Sequence, residues 1–144
     1  MICIIRKMED QDYKPIANLI RNELGYGDSS DEEVEARLAM MKNREDYLTL
    51  IAMYANKIAG FIGLIRGIAY EFSGYYIRIV ALAVKKEYQG KGIGSKLLEE
   101  AESYAKKMGA VMIAVNSGLQ RSGTHVFYAN RGYIKKGYSF KKSI

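Results

Sequence analysis

"VALAVKKEYQGKGIGSKLLEE", residues 80–100, decides how the chain is read. An apolar run ends in a basic, polar turn. Three glycines follow at alternate positions, Gly90, Gly92 and Gly94, and an amphipathic helix then begins. A helix N-terminus presents free N–H groups and a partial positive charge, so it stabilises an anion, above all a phosphate. Glycines ahead of it let the backbone approach closely and take positive φ, and their N–H groups can form an anion-binding concavity. Lys85, Lys86, Lys91 and Lys96 surround the turn. The stretch therefore has the properties of a pyrophosphate cradle. A turn whose glycines serve only tight packing has the same composition, and that reading stays open at this point. A Walker GxxxxGK[ST] loop is absent. The dinucleotide fingerprint needs GxGxxG with an acid about twenty residues on, whereas the spacing here is GxGxG and the next strand ends in Asn116.

Working outward, residues 75–84 (YYIRIVALAV) form the strand that feeds the turn. The helix after it spans 93–108, with Ile93, Leu97, Leu98, Ala101, Tyr104, Ala105 and Met108 on one face and Gly109 as its stop. Residues 110–116 read as a buried strand, 122–131 as a short helix, and 133–144 (YIKKGYSFKKSI) as one or two strands broken near Gly137. Toward the N-terminus, 2–8 is a strand. Residues 12–24 are helical, with Ile16, Leu19, Ile20 and Glu23/Leu24 at the 3.6 period and Pro15 in the first turn. Ser29, Ser30 or Asp31 then caps a second helix that carries Val34, Leu38 and Met41 to about Asn43. Strands 47–55 and 58–66 are joined at Asn56-Lys57 as a tight hairpin. The order βααβββαβαβ holds one strand–helix–strand crossover inside a mainly antiparallel set. The class is α+β with a mixed sheet flanked by helices.

The 144 residues, 49% of them hydrophobic, suit one domain with a single core, 1–144. No apolar run has membrane-spanning length, and the N-terminus turns acidic too early for a secretory signal. One cysteine, Cys3, excludes an internal disulfide and fits a cytoplasmic protein. One histidine and one cysteine make no metal site. The net charge of +6 is uneven: residues 1–84 carry ten Lys+Arg against twelve Asp+Glu, and residues 85–144 carry twelve against four. The basic half suits a small polyanion. It lacks a nucleic-acid recognition motif.

The segment "ALAVKKEYQGKGIGSKLL" resembles the acetyl-CoA-binding motif of the GNAT N-acetyltransferase superfamily, [QR]xxGx[GA], with Gln89, Gly92 and Gly94 in its places. "RSGTHVFYANRGY", residues 121–133, is similar to that family's second signature, with Tyr128, Gly132 and Tyr133 at the key positions. The element order matches over the whole chain. The resemblance implies acetyl transfer from acetyl-CoA to a small-molecule or peptide amine, with no metal and no membrane, and dimerisation is frequent in the family. It assigns cofactor binding to Leu82, Ala83, Val84, Gln89, Gly90, Lys91, Gly92, Ile93, Gly94, Ser95 and Asn116. The pantetheine arm would pair with the strand edge at Leu82–Val84, facing strand 110–116, and the pyrophosphate would sit on the amides of Gln89 through Ser95. A backbone N–H near Val84 would meet the thioester oxygen.

The family likeness also gives Tyr128 the role of proton donor to the departing thiolate; a phenol of pKa about 10 can protonate a thiolate of about 8.5 or higher when both are held close. Three positions depart from the pattern. Arg78 stands where many members carry a glutamate as general base, Thr124 replaces an alanine, and Ala129 replaces an acid. Arg78 leaves the base open among Glu71, Glu23, Asp28 and a water chain. It also keeps a non-catalytic acetyl-CoA-binding regulator in play. His125 reads as a packing residue. The acceptor side maps to 25–33 and 67–76, where acids and tyrosines suit a cationic amine, although DSSDEE is already explained as a helix cap.

Overall fold

The structure is a computed structural model that describes residues 2–117 and 122–144. The chain divides into two compact units, 1–114 and 115–144. The first holds β1 (Cys3–Lys7), α1 (Tyr13–Asn22), α2 (Asp31–Lys42), β2 (Tyr47–Tyr54), β3 (Lys57–Ile68), β4 (Tyr75–Val84), α3 (Ile93–Lys107) and nearly all of β5 (Ala110–Val115). The strands form one sheet in the order β1-β2-β3-β4-β5. The first four pair antiparallel in sequence order, and α3 carries the chain across to β5 beside β4.

β3 is buried without a break from Ala59 to Leu64, as a central strand covered on both faces must be. Phe61 turns to one face and packs with Ile51 and Ala83 against Ile16, Ala17 and Leu19 of α1 and Val34 and Leu38 of α2. Alternation turns Ile62 and Leu64 to the other face. There α3 lies across β1 to β4 with Ile93, Leu97, Leu98, Ala101 and Ala105 buried.

The register slips twice. Ala59 is passed over between β2 and β3, and Val80 between β3 and β4, where Gly63 faces Ala81 and Leu64 faces Ile79. Both slips are β-bulges. The β2–β3 hairpin turns on Ala55 and Asn56, φ 52° and 60°, and Lys57 already pairs with Tyr54. The turn is thus one residue earlier than the expected Asn56-Lys57. A two-residue turn matching strand twist needs positive φ at both positions, and the ladder keeps Lys57.

The helix entries are built from the chain itself at α1 and α2. Asp12, 1% exposed, accepts from Glu9 N–H at 2.7 Å and from both Arg6 terminal nitrogens at 2.6 and 2.9 Å. Of the three expected caps for α2, Ser30 is the one used.

The second unit holds α4 (Ser122–Ala129), which closes with the Arg131 and Tyr133 N–H groups donating to the Tyr128 carbonyl. The closing strand expected over 133–144 is not formed; those residues have no regular structure. Gly137 at φ 66° breaks the run. Ile134, Tyr138 and Phe140 stay exposed rather than finding a ladder partner among the described residues.

Candidate active site

The site is built where β4 ends. Leu82, Ala83 and Val84 are held in register by Ile62, Phe61 and Gly60, and Lys85 N–H donates to the Ala59 carbonyl at 2.7 Å. Gly60 is required there, because a Cβ would lie 2.5 Å from the Ala83 carbonyl oxygen and 3.2 Å from Val84 Cα.

The chain then makes a 3-10 turn, Lys86–Tyr88. The Gln89 side-chain amide donates back to the Val84 carbonyl at 2.9 Å and closes the loop onto the strand end. The Tyr88 ring packs edge-on to Tyr54, centroids 5.5 Å apart, and Lys91 Nζ lies 6.0 Å from the centre of the same Tyr54 ring. The β2–β3 hairpin thereby buttresses the turn. Lys85 pairs with Glu87 at 3.0 Å.

Gly90 and Gly92 both sit at φ 80°, and a Cβ on either would meet nothing within 4 Å. These glycines are therefore not there for internal packing. They supply a left-handed backbone and leave the outer side open. Gly92 is the N-cap of α3 and brings no side chain to its first-turn amides, and that turn contains no acid. Ile93, the first residue of the helix, is buried at 2% and anchors the helix start in the core. Gly94 and Ser95 follow, half-buried. Burial pushes the Cys3 thiol up, against the pull of Lys96.

Asn116 and Tyr128 belong to the second unit. Asn116 is exposed. Tyr128 is 7% exposed, edge-on to Phe127 at 5.2 Å and to Tyr133 at 5.3 Å. His125 and Thr124 are half-buried on α4, and Ala129 is exposed.

Among the bases left open, Glu71 and Asp28 are exposed. Glu23 caps the C-terminus of α1. Together with the dominant Glu87 hydrogen bond, its charge makes a minor contribution to raising the Lys85 pKa. Arg78 is exposed, its guanidinium 5.9 Å from the Tyr76 ring centre. Sequence reasoning missed the bulge at Val80 and the Tyr54–Tyr88 buttress. Glycines inside a strand, Gly60 and Gly63, were the available signal for a bulge. Among the described residues no cluster of His, Cys, Asp or Glu could hold a metal ion, and no helix is long and apolar enough to cross a membrane.

The chain matches the model of the acetyltransferase (GNAT) family over residues 13–133. It is 30% identical to an uncharacterized N-acetyltransferase, YhdJ, of Bacillus subtilis, over 90% of this chain and 88% of that one. It is 27% identical to the aminoalkylphosphonate N-acetyltransferase of Salmonella typhimurium, over 99% and 92% of the two chains. A crystal structure of a GNAT family acetyltransferase from Staphylococcus aureus superposes over the whole of both chains with a TM-score of 0.82 and 28% identity. With a glycine turn heading a helix at the end of its fourth strand, and this match over most of its length, the chain belongs to the GNAT family of acetyltransferases.

Proposed function

We propose that the protein is an N-acetyltransferase that moves an acetyl group from acetyl-CoA to a primary amine. The carrying observation is the open N-terminus of α3, with Gly90 and Gly92 in left-handed conformation, no capping side chain and lysines around it. Backbone N–H groups from Gln89 to Ser95 would receive the pyrophosphate, Lys91 would add positive field, and the β4 edge at Leu82–Val84 would align the pantetheine arm, with Asn116 as a further contact. Acetyl-CoA supplies an activated acyl group as a thioester. The amine must be neutral to attack, so its proton passes to a carboxylate or to water. A C–N bond forms and the C–S bond breaks. A β4 N–H near Val84 stabilises the charge gathering on the carbonyl oxygen, and Tyr128 gives its phenol proton to the leaving thiolate. The acceptors named for relatives support an amine acceptor here, since one of them acts on aminoalkylphosphonates.

The test is a calorimetric titration of acetyl-CoA followed by an assay of free thiol released in the presence of a panel of amines. Binding with amine-dependent release is expected, and Tyr128→Phe should lower the rate ten- to a hundredfold, about 1–3 kcal/mol of barrier. A folded protein that binds no acetyl-CoA overturns the reading. Binding without release for any amine would favour the non-catalytic regulator, a reading that Arg78 supports by standing where many members carry a glutamate as general base.

A further inference from the structure

Arg78 stands on β4 four residues before Leu82, and the bulge at Val80 decides its direction. In an unbroken strand Arg78 would share a face with Leu82 and Val84. Because Val80 is passed over, Ile65 faces Arg78 while Gly63 faces Ala81 and Phe61 faces Ala83. Arg78 is therefore on the face of Ala81 and Ala83, and Ile77 and Ile79 remain buried on the other. Bulges re-aim side chains in this way and gather beside active sites.

Three arginines lie on the strands, and their charges are treated differently. Arg6 grips the buried Asp12. The Arg66 guanidinium lies 4.9 Å from the centre of the Tyr75 ring, while its backbone N–H donates to the Asp46 carbonyl at 2.7 Å. Arg78 forms an ion pair with none of the described residues. Two residues before and after it along β4 stand the half-buried Tyr76, whose ring centre is 5.9 Å from the guanidinium, and Val80, 51% exposed. The Tyr76 ring is accommodated by Gly67, where any Cβ would collide with it. An unpaired guanidinium beside an aromatic ring and an exposed aliphatic side chain suits a small molecule with one acidic end and an alkyl body. Arginine is also the side chain that pairs bidentately with carboxylate, phosphonate or phosphate.

We propose that Arg78 selects the acceptor, binding the acid group of an aminoalkyl acid while the amine reaches the thioester beside Leu82–Val84. This rests on the acetyl-CoA reading above. With the bulge absorbing one of the four steps, Arg78 and Leu82 are about 10 Å apart along the strand. A short aminoalkyl acid spans what remains once the arginine side chain reaches forward. A polyamine would meet an unpaired cation instead.

The experiment titrates acetyl-CoA first, then compares 2-aminoethylphosphonate, β-alanine and the uncharged 3-amino-1-propanol as acceptors, on the wild type, Arg78→Gln and Arg78→Lys. Binding of 2-aminoethylphosphonate to the CoA-loaded protein is measured separately by calorimetry. The expected wild-type preference for the two acids over the alcohol is at least tenfold in kcat/KM. In Arg78→Gln, KM for the acids should rise ten- to a hundredfold with kcat changed far less, and the alcohol should be unaffected. Arg78→Lys should recover part of the affinity. Equal use of acid and alcohol by the wild type, equal loss on both in Arg78→Gln, or no binding of 2-aminoethylphosphonate to the CoA-loaded wild type would each overturn the assignment. The phosphonate and carboxylate arms distinguish the two kinds of acid. If acetyl-CoA itself does not bind, the parent reading fails, and the first titration tells that failure from failure of Arg78 alone.

Discussion

At the head of α2, Ser30 Oγ accepts from the Glu33 N–H at 3.2 Å, the Glu33 carboxylate accepts from the Ser30 N–H at 3.3 Å, and Asp31, Glu32 and Glu33 crowd the first turn. At the head of α3 the N-cap is Gly92, which has no side chain to cap the turn, and the first turn contains no acid. Both ends carry the same free amides and the same positive pole. In α2 the chain consumes them itself, and three carboxylates would repel any incoming anion. In α3 the N-cap residue brings no side chain to them, and the two glycines before the helix have empty outer sides. A helix end whose N-cap has no side chain forgoes the stability that a capping hydroxyl or carboxylate would add. The difference separates an end that serves the fold from one kept for a ligand.

The comparison breaks most visibly at Gly92. Gly92→Glu should lower acetyl-CoA affinity at least about a thousandfold, about 4 kcal/mol, by putting a carboxylate where the phosphates approach. The left-handed φ of 80° adds strain of about 1 kcal/mol or slightly more to the fold. Calorimetry reads the first effect and a thermal melt the second. Retained affinity would mean that the α3 pole is not the anion site.

Asp12 is the reverse case, a helix entry sealed by a buried carboxylate. Asp12→Ala removes the buried bidentate partner of Arg6, which keeps only the longer Glu9 contact at 3.6 Å, and leaves the Glu9 N–H without its acceptor; it should cost about 3 kcal/mol in urea denaturation with acetyl-CoA affinity unchanged. Burial pushes the Asp12 carboxyl up, but the Arg6 and Glu9 hydrogen bonds outweigh it and hold its pKa below the usual value. A carboxylate with a depressed folded pKa contributes stability above its unfolded pKa, about 3.9. That contribution is lost as pH falls through the lower folded value. Below about pH 4, therefore, the wild type should lose stability more steeply than Asp12→Ala.

Most of this contrast was legible in the letters. DSSDEE reads as a capped helix start with Ser29, Ser30 or Asp31 as its cap, and the glycine turn before an amphipathic run reads as an anion-binding helix head. β4 and the start of α3 fell where period and punctuation placed them, at Tyr75 and Ile93. What escaped depends on partners distant in sequence. The bulge at Val80 is a property of two strands, not one, and it alone turns Arg78 to its face. The hairpin turn falls on Ala55, which has no preference for positive φ and takes it because both flanking strands are in register. The alternation of Ile134, Tyr138 and Phe140 promised a strand, but pattern alone cannot supply the edge on which a strand must pair.

A smaller effect tests the α2 side. Ser30→Ala removes an acceptor but leaves the acidic first turn, so stability should fall by about 1 kcal/mol. Ser30→Gly should lose only a few tenths of a kcal/mol. Acetyl-CoA titrations should be superimposable for all three proteins, and any weakening would mean that the two helix heads are coupled.

The smallest effect sharpens what the α3 head uses, amides or lysines. Lys91 Nζ is held near the Tyr54 ring and Lys85 is partly neutralised by Glu87. Exposed charges contribute about 0.3–1 kcal/mol each at low salt and are screened at higher ionic strength. Lys91→Ala should therefore weaken acetyl-CoA binding only about two- to fivefold, and the deficit should shrink as salt is raised from 50 to 300 mM, a range over which the Debye length falls below about 10 Å. Backbone N–H groups in contact with phosphate are not screened in that way, so the Gly92→Glu deficit should persist across the same series. If Lys91→Ala instead matched Gly92→Glu in size, the lysines would be the binding site and the glycines only the turn that presents them. The contrast between the two helix heads would then concern charge rather than uncapped amides.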